Sequence, residues 1–147
     1  MDKGLIVHAL LFNEKQEALL IRRSLSEDVL PGVWDIPGGT LHDGEDPIEG
    51  AIRETSEEVG LNVKNLSLFH YTSNVDQKKN KQFVRLIFIG TCNNLDVVLN
   101  PEDHDKYQWV SIGDLPQDIK LVDYLPDIFS ILKKKRHLLA SYYAHTR

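Results

Sequence analysis

Three glutamates in the middle of the chain have the residue type and the spacing of a metal site. Glu54, Glu57 and Glu58 stand at positions i, i+3 and i+4. In an α-helix this spacing places all three carboxylates on one face. Like charges so close together repel, so an ordinary surface helix gains nothing from them. A divalent cation bound between the three carboxylates and a polyphosphate would offset this repulsion, because hard cations prefer oxygen ligands.

The residues around these acids predict a helix that begins after Asp46 and ends at Gly60. Asp46 is an N-cap acid, Pro47 takes the first helical position, and Glu49 can close a capping box. Gly60 stands where a left-handed C-cap is expected. Gly50, inside the helix, is tolerable if another group packs closely against it. A predicted buried stripe recurs at i, i+4, i+7 and i+11: Ile48, Ile52, Thr55 and Val59. The three acids lie beside that stripe and face a cleft or solvent.

The segment from Gly39 to Leu61 resembles the Nudix box, G-x5-E-x7-R-E-U-x-E-E-x-G-U, in which U is an aliphatic residue. Taken alone, the three acids could be a solvated helix face. All the fixed residues of the Nudix box, however, are present in this chain: Gly39, Glu45, Arg53, Glu54, Glu57, Glu58 and Gly60. Thr55 departs from the pattern at the first aliphatic position. Its methyl can pack and its hydroxyl can bond to a carbonyl one turn earlier. The chain therefore resembles a Nudix hydrolase, over residues 4–125.

The order of the elements predicts an α+β fold, because strands come in runs with only two helices. The resemblance implies the Nudix fold, a mixed curved β-sheet between helices. The predicted strands cover residues 4–12, 18–22, 34–37, 66–73, 82–92 and 107–112. A polar turn is expected over residues 75–81. A C-terminal helix is expected after Pro126, with the basic run Lys133 to His137 on its exposed face and Leu138, Leu139 and Tyr142 in its apolar pattern.

The resemblance implies hydrolysis of a nucleoside diphosphate linked to another group, with Mg²⁺ or alternatively Mn²⁺ as cofactor. The implied metal ligands are the Gly38 carbonyl, Glu54, Glu57 and Glu58. Arg53 would orient the acids through a bidentate contact that lysine cannot reproduce, and Glu45 would lie beside the cluster. Glu54 is the favoured general base. Glu102 and Asp103 are the alternatives, on a segment that could equally be a solvated loop.

Several residues are candidates for contact with the substrate. Arg22 and Arg23 could bind a phosphate or make surface pairs, and Trp34 could stack on a base or lie in the core. Gly39 is a further candidate for substrate contact. The four histidines His8, His42, His70 and His104 form no metal spacing and are expected to be structural or exposed.

A nucleoside triphosphatase of the 8-oxo-dGTP type is favoured, giving the monophosphate and pyrophosphate. Asp76 stands where some ADP-ribose hydrolases carry proline, and Tyr71 comes too early for the tyrosine of dinucleoside-polyphosphate enzymes. ADP-ribose, dinucleoside polyphosphates and nucleotide sugars remain alternative substrates. A nucleotide sensor without catalytic activity also remains open, although the intact box favours an enzyme.

The bulk composition predicts one globular domain over residues 1–147, with 41% hydrophobic and 27% charged residues. A net charge of −5 argues against a general nucleic-acid binder. The chain lacks a long apolar run and a basic, cleavable N-terminus, so neither a membrane span nor a signal peptide is expected. The single cysteine, Cys92, fits a buried thiol in a reducing cytoplasm. A small-molecule nucleotide is the expected partner, and a homodimer, frequent among relatives, stays open.

Overall fold

The computed structural model describes residues 1–135 of the chain, which form seven strands and two helices. The strands are β1 (Asp2–Phe12), β2 (Ala18–Arg23), β3 (Trp34–Asp35), β4 (Gly38–Thr40), β5 (Ser67–Asp76), β6 (Lys81–Thr91) and β7 (His104–Val110). The helices are α1 (Pro47–Val59) and α2 (Leu125–Lys134). The part of the predicted C-terminal helix from Arg136 onward, including Leu138, Leu139 and Tyr142, lies outside the described residues.

The strands form one mixed sheet around β1. Its order is β3-β2-β1-β6-β5, with β4 also paired to β1 and β7 to β2. β1 runs parallel to β6 and antiparallel to β2 and β4. Every residue of β1 from Val7 to Phe12 is buried, as the continuous apolar run predicts for a strand covered on both faces.

The helices cover opposite faces of this sheet. On one face, Ala51 and Val59 of α1 pack into an apolar cluster with residues such as Val7. On the other face, Ile128 and Phe129 of α2 pack against residues such as Leu10. The alternation of side chains along β1 supplies both clusters, because neighbouring residues of a strand point to opposite faces. The α+β arrangement, with a mixed sheet between helices, is therefore confirmed.

Helix α1 begins and ends where the sequence predicts. The Asp46 side chain accepts hydrogen bonds from the backbone N–H groups of Ile48 and Glu49, and Gly60 closes the helix in the left-handed conformation, with φ of 70°. The Thr55 hydroxyl donates to the Ala51 carbonyl at 2.7 Å, which explains how a polar residue is accommodated at a fully buried position.

Two details of α1 concern its packing. A Cβ at Gly50 would come within 2.5 Å of Leu41, so the glycine allows the close contact expected there. Ile48, however, is 39% exposed, so its predicted burial is wrong. It lies in the first turn of α1, at the N-terminal end of the stripe whose later members Thr55 and Val59 are fully buried.

Some strands are longer than the apolar pattern indicates. The hairpin between β5 and β6 turns at 77–80 rather than 75–81, because Asp76 pairs with Lys81 and its carboxylate caps the turn at Lys79. β7 starts at His104 rather than Tyr107, since its polar first residues pair with the end of β2.

Cys92 is a buried free thiol that donates to the Asn94 carbonyl. No helix within residues 1–135 is both long and apolar enough to cross a membrane.

Candidate active site

Arg53 lies at the centre of a cluster of acids on α1 and in the loop before it. Its Nε and Nη2 atoms donate to the two carboxylate oxygens of Glu45, at 2.7 and 2.9 Å. Its Nη1 atom donates to Glu54 at 2.9 Å and to Glu57 at 3.2 Å. These contacts lower the pKa of Glu45 to about 2 and raise the pKa of Arg53, chiefly through the hydrogen bonds between the two. The guanidinium thus contacts three carboxylates and holds Glu45 through two nitrogens, a bidentate geometry that the single ammonium of lysine does not reproduce.

The turn formed by Gly38 and Gly39 brings the main chain against two of the glutamates. The backbone N–H of Gly38 donates to Oε1 of Glu58 at 2.6 Å. A Cβ at Gly39 would lie 2.5 Å from the carboxyl carbon of Glu54, and a Cβ at Gly38 would overlap the ring of His8. Only residues without a side chain fit this close approach. The absence of side chains at Gly38 and Gly39 therefore allows the backbone of the turn to lie in direct contact with the carboxylates of Glu54 and Glu58.

Glu58 is the most strongly perturbed acid of the cluster. Burial raises its pKa to about 8, the nearby charges of Glu54, Asp35 and Asp103 add to this rise, and the Gly38 hydrogen bond opposes it. An acid surrounded by other acids, with its side chain only 19% exposed, binds a proton or another cation readily.

Two residues near Glu58 were missed by the sequence interpretation. Asp35 belongs to the strand that leads into the glycine turn, and its carboxylate accepts hydrogen bonds from the Ile36 N–H and the Tyr124 hydroxyl. His104 is 6% exposed, and its Nδ1 atom lies 3.9 Å from Oε2 of Glu58. Burial and the charge of Arg23 lower the pKa of His104. The position of Asp35, three residues before Gly38, was an available signal; spacing along the chain gave none for His104.

The two loop acids considered as alternative bases have different positions. Asp103 accepts a hydrogen bond from the Asn100 side chain at 3.1 Å, and its charge acts on Glu58. Glu102 is exposed on the same turn, where its N–H donates to the Asn100 side chain. The structure therefore brings Asp103, rather than Glu102, toward the acidic cluster.

The residues considered for substrate binding at β2 and β3 have partners within the protein. Arg22 makes a bidentate contact with Asp105, at 2.7 and 2.8 Å. Arg23 donates to the Val29 carbonyl at 2.7 Å. Trp34 is 8% exposed and packs in the cluster beneath α2, so its ring has no free face for a base. These positions favour surface pairing for the arginines and the core for Trp34.

A cavity of about 430 Å³ lies on the α2 face of the sheet. Its lining residues come from the loops before β3 and α2, from β5 and β6, and from the first turn of α2: Leu30, Thr72, Ser73, Asn74, Arg85, Val122, Asp123, Tyr124 and Asp127. The Tyr124 hydroxyl lies 3.3 Å from the ring nitrogens of His8. His8 in turn packs against Gly38. The cavity is thereby linked to the glycine turn through two side chains.

The oxygen-rich cluster fits a hard divalent cation in its donor chemistry. Within residues 1–135, no three acidic, histidine or cysteine side chains converge at metal-ligand spacing, since Arg53 holds Glu54 and Glu57 while Gly38 holds Glu58. A bound cation would replace part of these contacts. The buried Glu58 carboxyl, which no arginine or lysine within residues 1–135 contacts, is the observation that favours such binding, because a cation would stabilise its ionised form.

Comparison with known proteins identifies the family. A model of the NUDIX domain matches residues 2–129. The chain belongs to the Nudix family. It is 30% identical over 142 residues to the asymmetrical bis(5'-nucleosyl)-tetraphosphatase of Caenorhabditis elegans, which covers 95% of this chain and 96% of the relative. It is 32% identical over 107 residues to a putative 8-oxo-dGTP diphosphatase of Bacillus subtilis (strain 168), covering 73% and 66%.

Solved Nudix structures have the same fold. The crystal structure of a MutT protein from Methanosarcina mazei Go1 superposes with a TM-score of 0.77 and 30% identity, covering 92% of this chain and 96% of that one. A C. elegans Ap4A hydrolase binary complex gives a TM-score of 0.63 and 25% identity, covering 93% and 99%. The Nudix chain is therefore a pyrophosphohydrolase of a family that generally uses divalent metals and acts on nucleotides.

Proposed function

We propose that this Nudix hydrolase cuts a phosphoanhydride bond of a nucleoside triphosphate, with oxidised guanine nucleotides as the favoured substrates, and releases the monophosphate and pyrophosphate. The carrying observation is the cluster in which Arg53 and the glycine turn hold Glu45, Glu54, Glu57 and Glu58 together. The similarity to a putative 8-oxo-dGTP diphosphatase supports the substrate class.

The acids would hold Mg²⁺, or alternatively Mn²⁺, through Glu54, Glu57, Glu58 and the Gly38 carbonyl. The cation would supply the positive charge that an acidic site lacks for binding a pyrophosphate and for stabilising its developing negative charge. Glu54, packed against Gly39, is the proposed base that takes a proton from the attacking water, and Asp103 is the alternative. Arg53 and Glu45 would keep the carboxylates in place.

The cavity beside Tyr124 is the proposed site of the nucleoside. Its volume lies within the range of about 300–1,000 Å³ that is usual for small-molecule sites. Arg85 and Asn74 supply donors, whereas Asp123 and Asp127 supply acceptors, so a base with both kinds of group could be recognised.

A dinucleoside polyphosphate is the second candidate substrate. The observation that favours it is the similarity to the C. elegans tetraphosphatase, which extends over 95% of this chain. The two substrates give different products, because cleavage of a nucleoside triphosphate yields pyrophosphate, whereas asymmetrical cleavage of a dinucleoside tetraphosphate yields a nucleoside triphosphate.

The test is a substrate panel with Mg²⁺, resolved by chromatography of the products. The panel should contain dGTP, 8-oxo-dGTP, a dinucleoside tetraphosphate, ADP-ribose and a nucleotide sugar. We expect the highest kcat/KM for 8-oxo-dGTP, with the nucleoside monophosphate and pyrophosphate as products. A higher kcat/KM for the dinucleoside tetraphosphate would make it the substrate in place of the nucleoside triphosphate. If no member of the panel were hydrolysed, the protein would be a nucleotide sensor without catalytic activity.

A further inference from the structure

His104 has a buried nitrogen without a hydrogen-bond partner, and this nitrogen faces the acidic cluster. The ring is 6% exposed, and its Nδ1 atom makes no hydrogen bond within the described part of the chain. The same atom lies 3.9 Å from Oε2 of Glu58. A buried polar atom left unpaired is costly, so such atoms often mark a functional contact that is made only in another state.

The backbone around His104 is held firmly in place. Its N–H donates to the Asn100 carbonyl at 2.9 Å, and it pairs with Arg23 at the start of β7. On the adjacent segment, Ser24 binds the Asp103 carbonyl through its N–H and the Pro101 carbonyl through its hydroxyl, at 2.9 and 2.7 Å. The position of the His104 backbone, and with it the direction of its Cα–Cβ bond, is therefore fixed by the strand and by the preceding turn.

The two oxygens of Glu58 have different neighbours. Oε1 accepts the hydrogen bond from Gly38, whereas Oε2 faces Nδ1 of His104. The separation of 3.9 Å exceeds the usual range of about 2.7–3.2 Å for a hydrogen bond, so a small rotation of the carboxylate would complete the contact. A neutral imidazole has one N–H, and with that proton on Nδ1 the ring would be a donor to Oε2.

We propose that His104 is a positioning residue of the active site, which uses Nδ1–H to orient the second oxygen of Glu58 for metal binding. This inference rests on the proposed role of Glu58 as a metal ligand. Groups that orient metal ligands commonly change metal affinity or activity by about 10- to 100-fold when they are removed. His104 would thus act through Glu58 and would not itself contact the substrate.

Substitution by the two amides separates this role from simple packing. The side-chain nitrogen of asparagine can occupy the position of Nδ1, whereas that of glutamine reaches the position of Nε2. We expect His104→Asn to retain Mn²⁺ affinity, measured by electron paramagnetic resonance, and kcat within about threefold of the wild type. We expect His104→Gln to lose about tenfold or more in both quantities. His70→Asn, on the edge strand β5 at the other end of the sheet from β2 and β7, is the matched control and should change neither.

Each result bears on a definite part of the proposal. Equal losses in the two His104 variants would show a structural role, and equal retention would show that neither nitrogen matters; either result overturns the proposed positioning. A wild-type protein that binds Mn²⁺ but hydrolyses no nucleotide would refute the proposed function, while the Mn²⁺ comparison would still test His104. A wild-type protein that binds no Mn²⁺ would overturn both proposals.

Discussion

The raised pKa of Glu58 predicts an unusual dependence of stability on pH. The pKa of this carboxyl rises from its ordinary value of 4.5 to about 8 in the folded chain. Between these values the unfolded chain has released the proton and the folded chain still binds it. The free energy of unfolding therefore falls as the pH rises through this window, by about 1.4 kcal/mol per pH unit, and becomes level above the folded pKa.

The substitution Glu58→Gln isolates the contribution of Glu58 to the pH dependence of stability. Glutamine has a similar size and can still accept the hydrogen bond from the Gly38 N–H, but it does not titrate. From about pH 5 to about pH 7, the wild type should lose about 3 kcal/mol of stability relative to the variant. Urea unfolding at a series of pH values, without divalent cations, measures the difference. Such cations must be absent because they favour the ionised carboxylate.

Glu49→Gln provides the control, since Glu49 is an exposed acid in the first turn of the same helix. Its pH profile should run parallel to that of the wild type. If the curves of the wild type and Glu58→Gln also ran parallel over this window, burial would not control the ionisation of Glu58 and the electrostatic account of the cluster would fail.

Two further substitutions test the support of the acids. Arg53→Lys should lower kcat by about 10- to 100-fold, because a lysine cannot make the bidentate contact with Glu45 while also holding Glu54. Steady-state kinetics at saturating Mg²⁺ measure the loss, and an unchanged kcat would count against the positioning role of Arg53. Thr55→Val should leave kcat unchanged and alter the free energy of unfolding by less than about 1 kcal/mol, because the hydroxyl that it removes bonds only the Ala51 carbonyl of the same helix. A large decrease in the urea concentration needed for unfolding would contradict this.

The sequence predicts the local features of α1 well, because they depend on neighbouring residues. Asp46 and Gly60 terminate the helix through their own side-chain and backbone chemistry, and Thr55 satisfies its hydroxyl within one turn. Ile48, in the first turn of the helix, is exposed although it lies on the same stripe. Periodicity along a helix records which side faces inward, but not how far the supporting layer extends.

The site itself combines local and distant contributions. Spacing along the chain identified Glu54, Glu57 and Glu58 as one group. The approach of Asp103 and His104 to Glu58 depends on the pairing of β7 with β2, which joins segments about 80 residues apart in the chain. Likewise, Arg22 finds Asp105 across that pairing. Such long-range contacts carry no periodic signal in a single sequence.

The most direct test of the central claim is the Mg²⁺-dependent turnover of Glu57→Gln, compared with the wild type and with Glu49→Gln. Glu57 is exposed, with 58% of its side chain accessible, so its substitution should leave the fold intact. If the acids of α1 bind the metal for phosphoanhydride cleavage, kcat for the best nucleotide of the panel should fall by about 100-fold or more, whereas Glu49→Gln should remain at the wild-type rate. Near-normal turnover of Glu57→Gln at saturating Mg²⁺ would contradict the metal assignment.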